Sequence, residues 1–263
     1  MKRVKIFFGA GILLSVSMLF IQGESNYAFT ENELDACEII DQLQYQELND
    51  SEKEALLLMI EEEKLARDVY TTFSKVYDSH VFTNISEAED RHMNAIQCML
   101  NKYDLKNPVQ EKAIGVYSNR KFTDLYESFV IRGKTELKEA LMIGATIEDM
   151  DLKDLNDLME SKTTDNDDLK AVIRELQRGT RNHMRAFSKN LKKQEASYDA
   201  QFISKEEYRE IVSASQERGG WLCGDEKPRD SKVNKKCKGD HSKCSGACKG
   251  EGHEKKGCKD HQH

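Results

Sequence analysis

Two prolines among 263 residues leave little to interrupt a helix. Aromatic residues make up only 8% of the chain, and Leu, Glu, Lys and Met are abundant, so the composition favours helices over sheet. No basic stripe carries interleaved aromatics, and the net charge is -7 with both signs mixed along the chain. Nucleic acid is therefore not an expected partner. No Cys-x-x-Cys pair occurs, which excludes a built-in rubredoxin-type electron donor. No internal repeat stands out. One apolar run exists, from Ile6 to Ile21, and no cysteine follows it closely, so a lipid anchor of the bacterial lipoprotein kind is not indicated.

What is present begins with that run. Lys2, Arg3 and Lys5 precede it and the small residues Gly23 to Ser25 follow it, the three-part pattern of a secretory signal peptide over residues 1–25. The alternative is an uncleaved anchor helix, but the run is shorter than the ~20 residues that span a bilayer comfortably. The expected location is thus extracytoplasmic or secreted, with the membrane a partner only if the segment is retained. Export gives the seven cysteines weight, because disulfides persist outside the cytosol. Cys37 and Cys98 lie in or near the helical region; Cys223, Cys237, Cys244, Cys248 and Cys258 lie towards the C-terminus. The odd count leaves at least one thiol free, metal-bound or paired between chains.

Residues 26–49 read as an acidic lead-in. Ser51 with Glu54 has the capping-box pattern that opens a helix running to about Val76. After a polar loop, Ser86 with Glu89 repeats the pattern and opens a second helix to about Tyr103. Pro108 and Gly115 mark residues 104–120 as a loop, and the apolar stretch from Phe122 to Ile131 belongs to a long crossover. A third helix runs from near Thr135 to Glu160, and a fourth from about Leu169 to Lys193. A short helix follows Ser204. Residues 50–215 thus form an all-α four-helix bundle. Residues 216–263 form a tail rich in Lys, Gly, Cys and His whose composition cannot build a core and predicts disorder.

Each long helix carries an apolar seam spaced at three or four residues, and each seam is interrupted midway by ionisable residues. The interruptions are Glu63, then Glu89 with His92, then Glu148 with Asp151, and finally His183. Burying even a neutral polar group without a partner costs on the order of 2–7 kcal/mol. A domain of this size has only ~5–15 kcal/mol of net stability, so several lone carboxylates in one core would unfold it. Two metal ions would supply the compensating charge. Four-helix bundles hold such pairs with one Glu from each of two helices and a Glu-x-x-His from each of the other two. Here Glu63 and Glu148 fit the single glutamates, and Glu89-Asp-Arg-His92 is a complete Glu-x-x-His. The fourth helix offers Thr180-Arg-Asn-His183, where Thr stands in place of the glutamate. Asp151, one turn beyond Glu148 on the same face, is the candidate replacement; Glu62 and Glu175 are less well aligned. A metal-free bundle with a buried polar network is the competing reading.

At these residues the chain resembles the ferritin-like superfamily, and within it the family labelled domain of unknown function 2202. The segments that carry the resemblance are EEEKLARDVY at Glu61–Tyr70, SEAEDRHMNAI at Ser86–Ile96, GATIEDMDLKDL at Gly144–Leu155, RGTRNHMRAF at Arg178–Phe187 and YDAQFISKEEYREI at Tyr198–Ile211. Glu63, Ala66 and Tyr70 are also similar to the first metal helix of rubrerythrins. The resemblance implies a ferritin-like fold over roughly residues 50–211.

Ligand hardness in such a site suits iron or manganese. The expected chemistry is oxidation of Fe(II), or reduction of oxygen or peroxide, with Glu63 and Glu148 as bridging carboxylates and His92 and His183 terminal on opposite ions. Tyr70 lies two turns from Glu63 and is either a partner of a ligand or ordinary core. In the tail, Cys237, His241, Cys244, Cys248, His253 and Cys258 offer thiolates and imidazoles suited to zinc or copper. Their spacing fits no standard finger, so disulfides or a solvated tail are equal alternatives. The non-catalytic reading of the whole chain is metal sequestration or protein interaction through this tail. A homodimer is compatible with either reading.

Overall fold

The computed structural model of the chain describes residues 36–110 and 113–218; the expected signal peptide and all five tail cysteines lie outside them. The described residues are helical without strands, in the order α1 (Ala36–Gln42), α2 (Asp50–Ser74), α3 (His80–Lys102), α4 (Arg120–Gly133), α5 (Leu137–Glu160), α6 (Asp167–Lys193) and α7 (Lys205–Ser213). Helices α2 and α3 form one hairpin and α5 and α6 the other. Packing of α3 on α6 and of α2 on α5 closes the four-helix bundle. The crossover from α3 to α5 contains α4, which lies against α2 and α5. Among the described residues no helix is long and apolar enough to cross a membrane.

The core divides into two apolar clusters on either side of the polar interruptions. One contains Tyr70, Phe73, Phe82, Phe122 and Phe187. The other contains Leu56, Ile60, Ile96, Met99 and Leu176. The apolar seams thus place the ionisable residues in a layer between two dry halves.

Two helix starts differ from the expectation. The capping box of α2 is Asn49 with Glu52, not Ser51 with Glu54: Asn49 Oδ1 accepts from Glu52 N at 3.0 Å, and Glu52 Oε2 accepts from Asn49 N at 2.9 Å. Glu52 is favoured because its other oxygen accepts the N–H groups of Asp165 and Asn166 in the α5–α6 turn, both at 2.9 Å. Helix α3 begins at His80, not at Ser86, whose hydroxyl donates to the Thr83 carbonyl at 2.9 Å. Burial of Val81, Phe82 and Ile85 extends that helix backwards through residues whose polar neighbours suggest a loop. The correction matters for the site. Glu63 now stands 11 residues before the end of α2 and His92 stands 12 after the start of α3, so the two sit level.

The lead-in contains α1, which a disulfide between Cys37 and Cys98 fastens to α3 with a Cα–Cα distance of 4.9 Å. The bond spans 61 residues of sequence, so reducing it frees a long loop in the unfolded chain. Cys37→Ser is expected to lower stability by about 2–4 kcal/mol, read as a drop in the urea midpoint that reductant reproduces in the wild-type chain.

Candidate metal centre

The run EEEKLARDVY in α2 carries five ionisable residues that are buried, and the fold gives them different work. Glu61 accepts the N–H of Ser118 at 2.8 Å and that of Asn119 at 3.1 Å, which anchors the start of α4. Lys64 pairs with Asp68 and donates to the carbonyl of Ala113 at 2.9 Å. Asp68 also accepts from Gly115 N at 2.9 Å and from Tyr117 Oη at 3.1 Å. These three residues hold the crossover. On α5, Asp149 does the same for the C-terminal segment, accepting from Tyr198 Oη at 2.7 Å and from the N–H groups of Gln201, Phe202 and Ile203. The sequence reading missed all four. The i,i+4 spacing of Lys64 and Asp68 was the one available signal.

Glu63, Glu89, His92, Glu148 and His183 converge in the layer between the two clusters. Glu89 lies between the imidazoles, with His92 Nδ1 2.8 Å from its Oε2 and His183 Nδ1 2.9 Å from its Oε1. Ligand atoms of Glu89, His92 and His183 all fall within 4.8 Å of one another, a spacing that one metal ion can span. Glu63 Oε2 flanks His92 Nδ1 at 3.1 Å, and Glu148 Oε2 flanks His183 Nδ1 at 3.3 Å. The two rings stack with centroids 5.3 Å apart. The central place expected for Glu63 or Glu148 therefore belongs to Glu89, and those two stand at either end. The reason is the Glu-x-x-His spacing of α3, which turns both Glu89 and His92 towards α6 and α2.

Two glycines make room for this packing. A Cβ on Gly179 would lie 2.3 Å from His92 Nε2, and one on Gly144 would lie 2.3 Å from the Phe187 ring. Tyr70 donates its hydroxyl to Glu148 Oε1 at 2.6 Å, fixing that carboxylate from the side of the aromatic cluster. Tyr70 is thus both buried core and a hydrogen-bond partner of Glu148.

The electrostatics match a cation site. Burial, opposed by His92, pushes the Glu63 carboxyl up to about 8. Burial works against protonation of His183, but Glu89 and Glu148 outweigh it and push the imidazole up to about 10. His92 is raised in the same way by Glu63 and Glu89, again against burial. Burial would raise Glu89, yet the two histidines hold it well below the usual carboxylate range. Positive charge is thus called for at the middle of the cluster. Glu63 Oε1, Glu89 Oε1 and His183 Nδ1 are buried without a hydrogen bond. The last two lie 2.9 Å apart but out of line, so they converge without bonding. A buried polar atom left in that condition costs about 1–3 kcal/mol. Three on one cluster are the pattern of donor atoms built for an ion, and the donor set of carboxylates with two imidazoles fits a divalent metal.

Of the other candidates, Asp151 accepts from Thr180 Oγ1 at 2.6 Å beside the cluster. Glu62 is buried between α2 and α5, and burial together with the charges of Asp151 and Asp154 raises its carboxyl well above the usual range. Glu175 pairs with Arg178 at 2.7 Å and is excluded from the cluster. Cys237, His241, Cys244, Cys248, His253 and Cys258 lie outside the described residues. The last described residues are docked: Glu217 accepts from Arg181 at 2.6 Å and from Arg185 at 2.8 Å, fastening residue 217 to the helix that carries His183.

Known proteins share this arrangement of sequence. The chain is 47% identical over 182 residues to uncharacterized protein MJ0754 of Methanocaldococcus jannaschii, covering 69% of this chain and 97% of that protein. A crystal structure of hypothetical protein MJ0754 from Methanococcus jannaschii superposes with a TM-score of 0.65 over 66% of this chain and 99% of its own. The family model described as an uncharacterized protein domain, DUF2202, matches residues 52–215, which take in α2 from its third residue, α3 to α7 and every residue of the cluster. The chain belongs to the DUF2202 family.

Proposed function

We propose that this protein is an exported, ferritin-like metal protein whose bundle holds a pair of iron ions, or iron with manganese, and uses them in Fe(II) oxidation or in oxygen or peroxide reduction. The observation that carries this reading is Glu89 set between two histidines, one carboxylate oxygen towards each Nδ1. Glu89 would then be shared between two half-sites, with Glu63 and His92 serving one and Glu148 and His183 the other.

Ions held by Glu63, Glu89, His92, Glu148 and His183 would supply redox chemistry towards oxygen or peroxide. The chain supplies position, charge and shelter. Tyr70 holds Glu148 in one orientation and leaves its second oxygen, Oε2, free to serve as a ligand. Such outer partners commonly set ligand affinity by about 10–100-fold. Phe187 packs against Tyr70 at 5.2 Å between ring centroids and closes the aromatic side of the layer to water. The imidazoles form the edge nearest solvent, with side chains 12% and 10% exposed, and give an incoming ion its approach.

The test is anaerobic loading of the purified full-length chain with Fe(II), followed by oxygen. Binding of two Fe(II) per chain and stoichiometric oxygen consumption are expected. A chain that takes up no iron at the bundle, and whose zinc or copper is lost on truncation after Gly220, would be a sequestering protein acting through its tail.

A further inference from the structure

The half-sites described above contain three carboxylates, Glu63, Glu89 and Glu148. Two divalent ions carry four positive charges, so this set leaves one charge uncompensated in a buried layer, where unbalanced charge is costly. The bundle arrangement with a Glu-x-x-His on each of two helices would supply the fourth from position 180. Thr180 is there instead, 1% exposed, and its hydroxyl cannot replace a carboxylate.

The structure shows what occupies the vacated reach. Asp151 projects from α5, one turn after Glu148, towards α6. Thr180 Oγ1 donates to Asp151 Oδ2 at 2.6 Å and lies 3.0 Å from the Leu176 carbonyl of its own helix. One oxygen of Asp151 is thus fixed by α6. Asp151 stands one turn from Glu148 on α5, and its partner Thr180 stands one turn from His183 on α6, so the pair borders the cluster from both helices. Glu63 Oε1 is one of the three buried atoms of that cluster without a hydrogen bond, with Glu89 Oε1 and His183 Nδ1.

We propose that Asp151 is the fourth carboxylate ligand of the centre, and that Thr180 is its positioning residue. The inference rests on the two-ion reading above. It changes the ligand count of the helices: α5 contributes two carboxylates, α6 contributes an imidazole and a hydroxyl that orients one of them.

Mn(II) is the probe, because tail thiolates bind it poorly while carboxylates bind it well. In the full-length wild-type chain, dialysis is expected to give two Mn(II) per chain with the electron paramagnetic resonance of a coupled pair. Asp151→Asn keeps the shape and is expected to weaken the second ion by about tenfold or more, leaving the signal of isolated Mn(II). Thr180→Val is expected to weaken the second ion by about 10–100-fold with the first unchanged. The double variant Asp151→Ala, Thr180→Glu returns the carboxylate to α6, and recovery of the coupled pair would support the assignment. An Asp151→Asn chain that holds both ions like wild type overturns it and leaves the two-ion centre standing. So does a double variant that melts at the wild-type temperature yet does not recover the pair. A wild-type chain with no Mn(II) pair overturns the centre itself.

Discussion

Glu89→Ala is expected to empty both half-sites at once. Its two oxygens face different histidines, at 2.8 Å and 2.9 Å, so removing the side chain takes one ligand from each ion. His92→Ala or Glu63→Gln, by contrast, touches only one half. The expected pattern is loss of both ions in Glu89→Ala, with affinity down by more than about 100-fold, against retention of one ion in either of the other variants. Equilibrium dialysis with Mn(II) and Fe(II)-dependent oxygen consumption measure it. If Glu89→Ala and His92→Ala lose the same single equivalent, Glu89 does not serve two ions.

The second large effect concerns stability and lies one seam away. Asp68 is completely buried and accepts from Lys64, Arg67, Gly115 and Tyr117. Asp68→Ala strips a 1%-exposed ammonium of its partner and removes the acceptor that holds the crossover. Breaking a buried ion pair from one side costs about 3–5 kcal/mol, enough to take most of the margin of a domain of this size. Burial already pushes the Lys64 ammonium below its ordinary range, against the pull of Asp68, so without Asp68 it has every reason to shed its proton. Lys64→Met is expected to cost less, because Arg67 still pairs with Asp68 Oδ1 at 2.7 Å. The pair Lys64→Met, Asp68→Asn keeps an acceptor for Gly115 and Tyr117 and is expected to recover much of the loss. Urea unfolding of the three chains decides the order; a double variant that loses the sum of the two single losses would mean that the pair contributes no coupling.

Much of the site was legible because helical spacing is regular. Glu63, Glu89, His92, Glu148 and His183 fall on seams of period three to four, so their convergence follows from periodicity once four helices are granted. What periodicity could not tell is which of the neighbouring carboxylates turns inward and what each one meets. Glu61, Glu62 and Glu63 are consecutive and all buried, yet one anchors α4, one is raised by burial and the charges of Asp151 and Asp154, and one faces His92. Their partners come from residues 55 or more positions away or from other helices, and sequence distance carries no information about them. The start of α3 was misplaced for a related reason. Local polarity around Ser86 resembles a cap, but the burial of Phe82 and Ile85 against the opposite hairpin decides where the helix begins.

By itself, the sequence determined the helices, the crossover and the presence of ionisable residues at the middle of every seam, since these depend on local propensity and on a fixed rise per turn. Only the tertiary structure decided that Glu89 takes the centre, that Asp151 meets Thr180, and that Cys37 finds Cys98. Those are relations between helices. They depend on the axial offset and rotation of one helix against another, which the packing of the two apolar clusters sets and no single helix encodes.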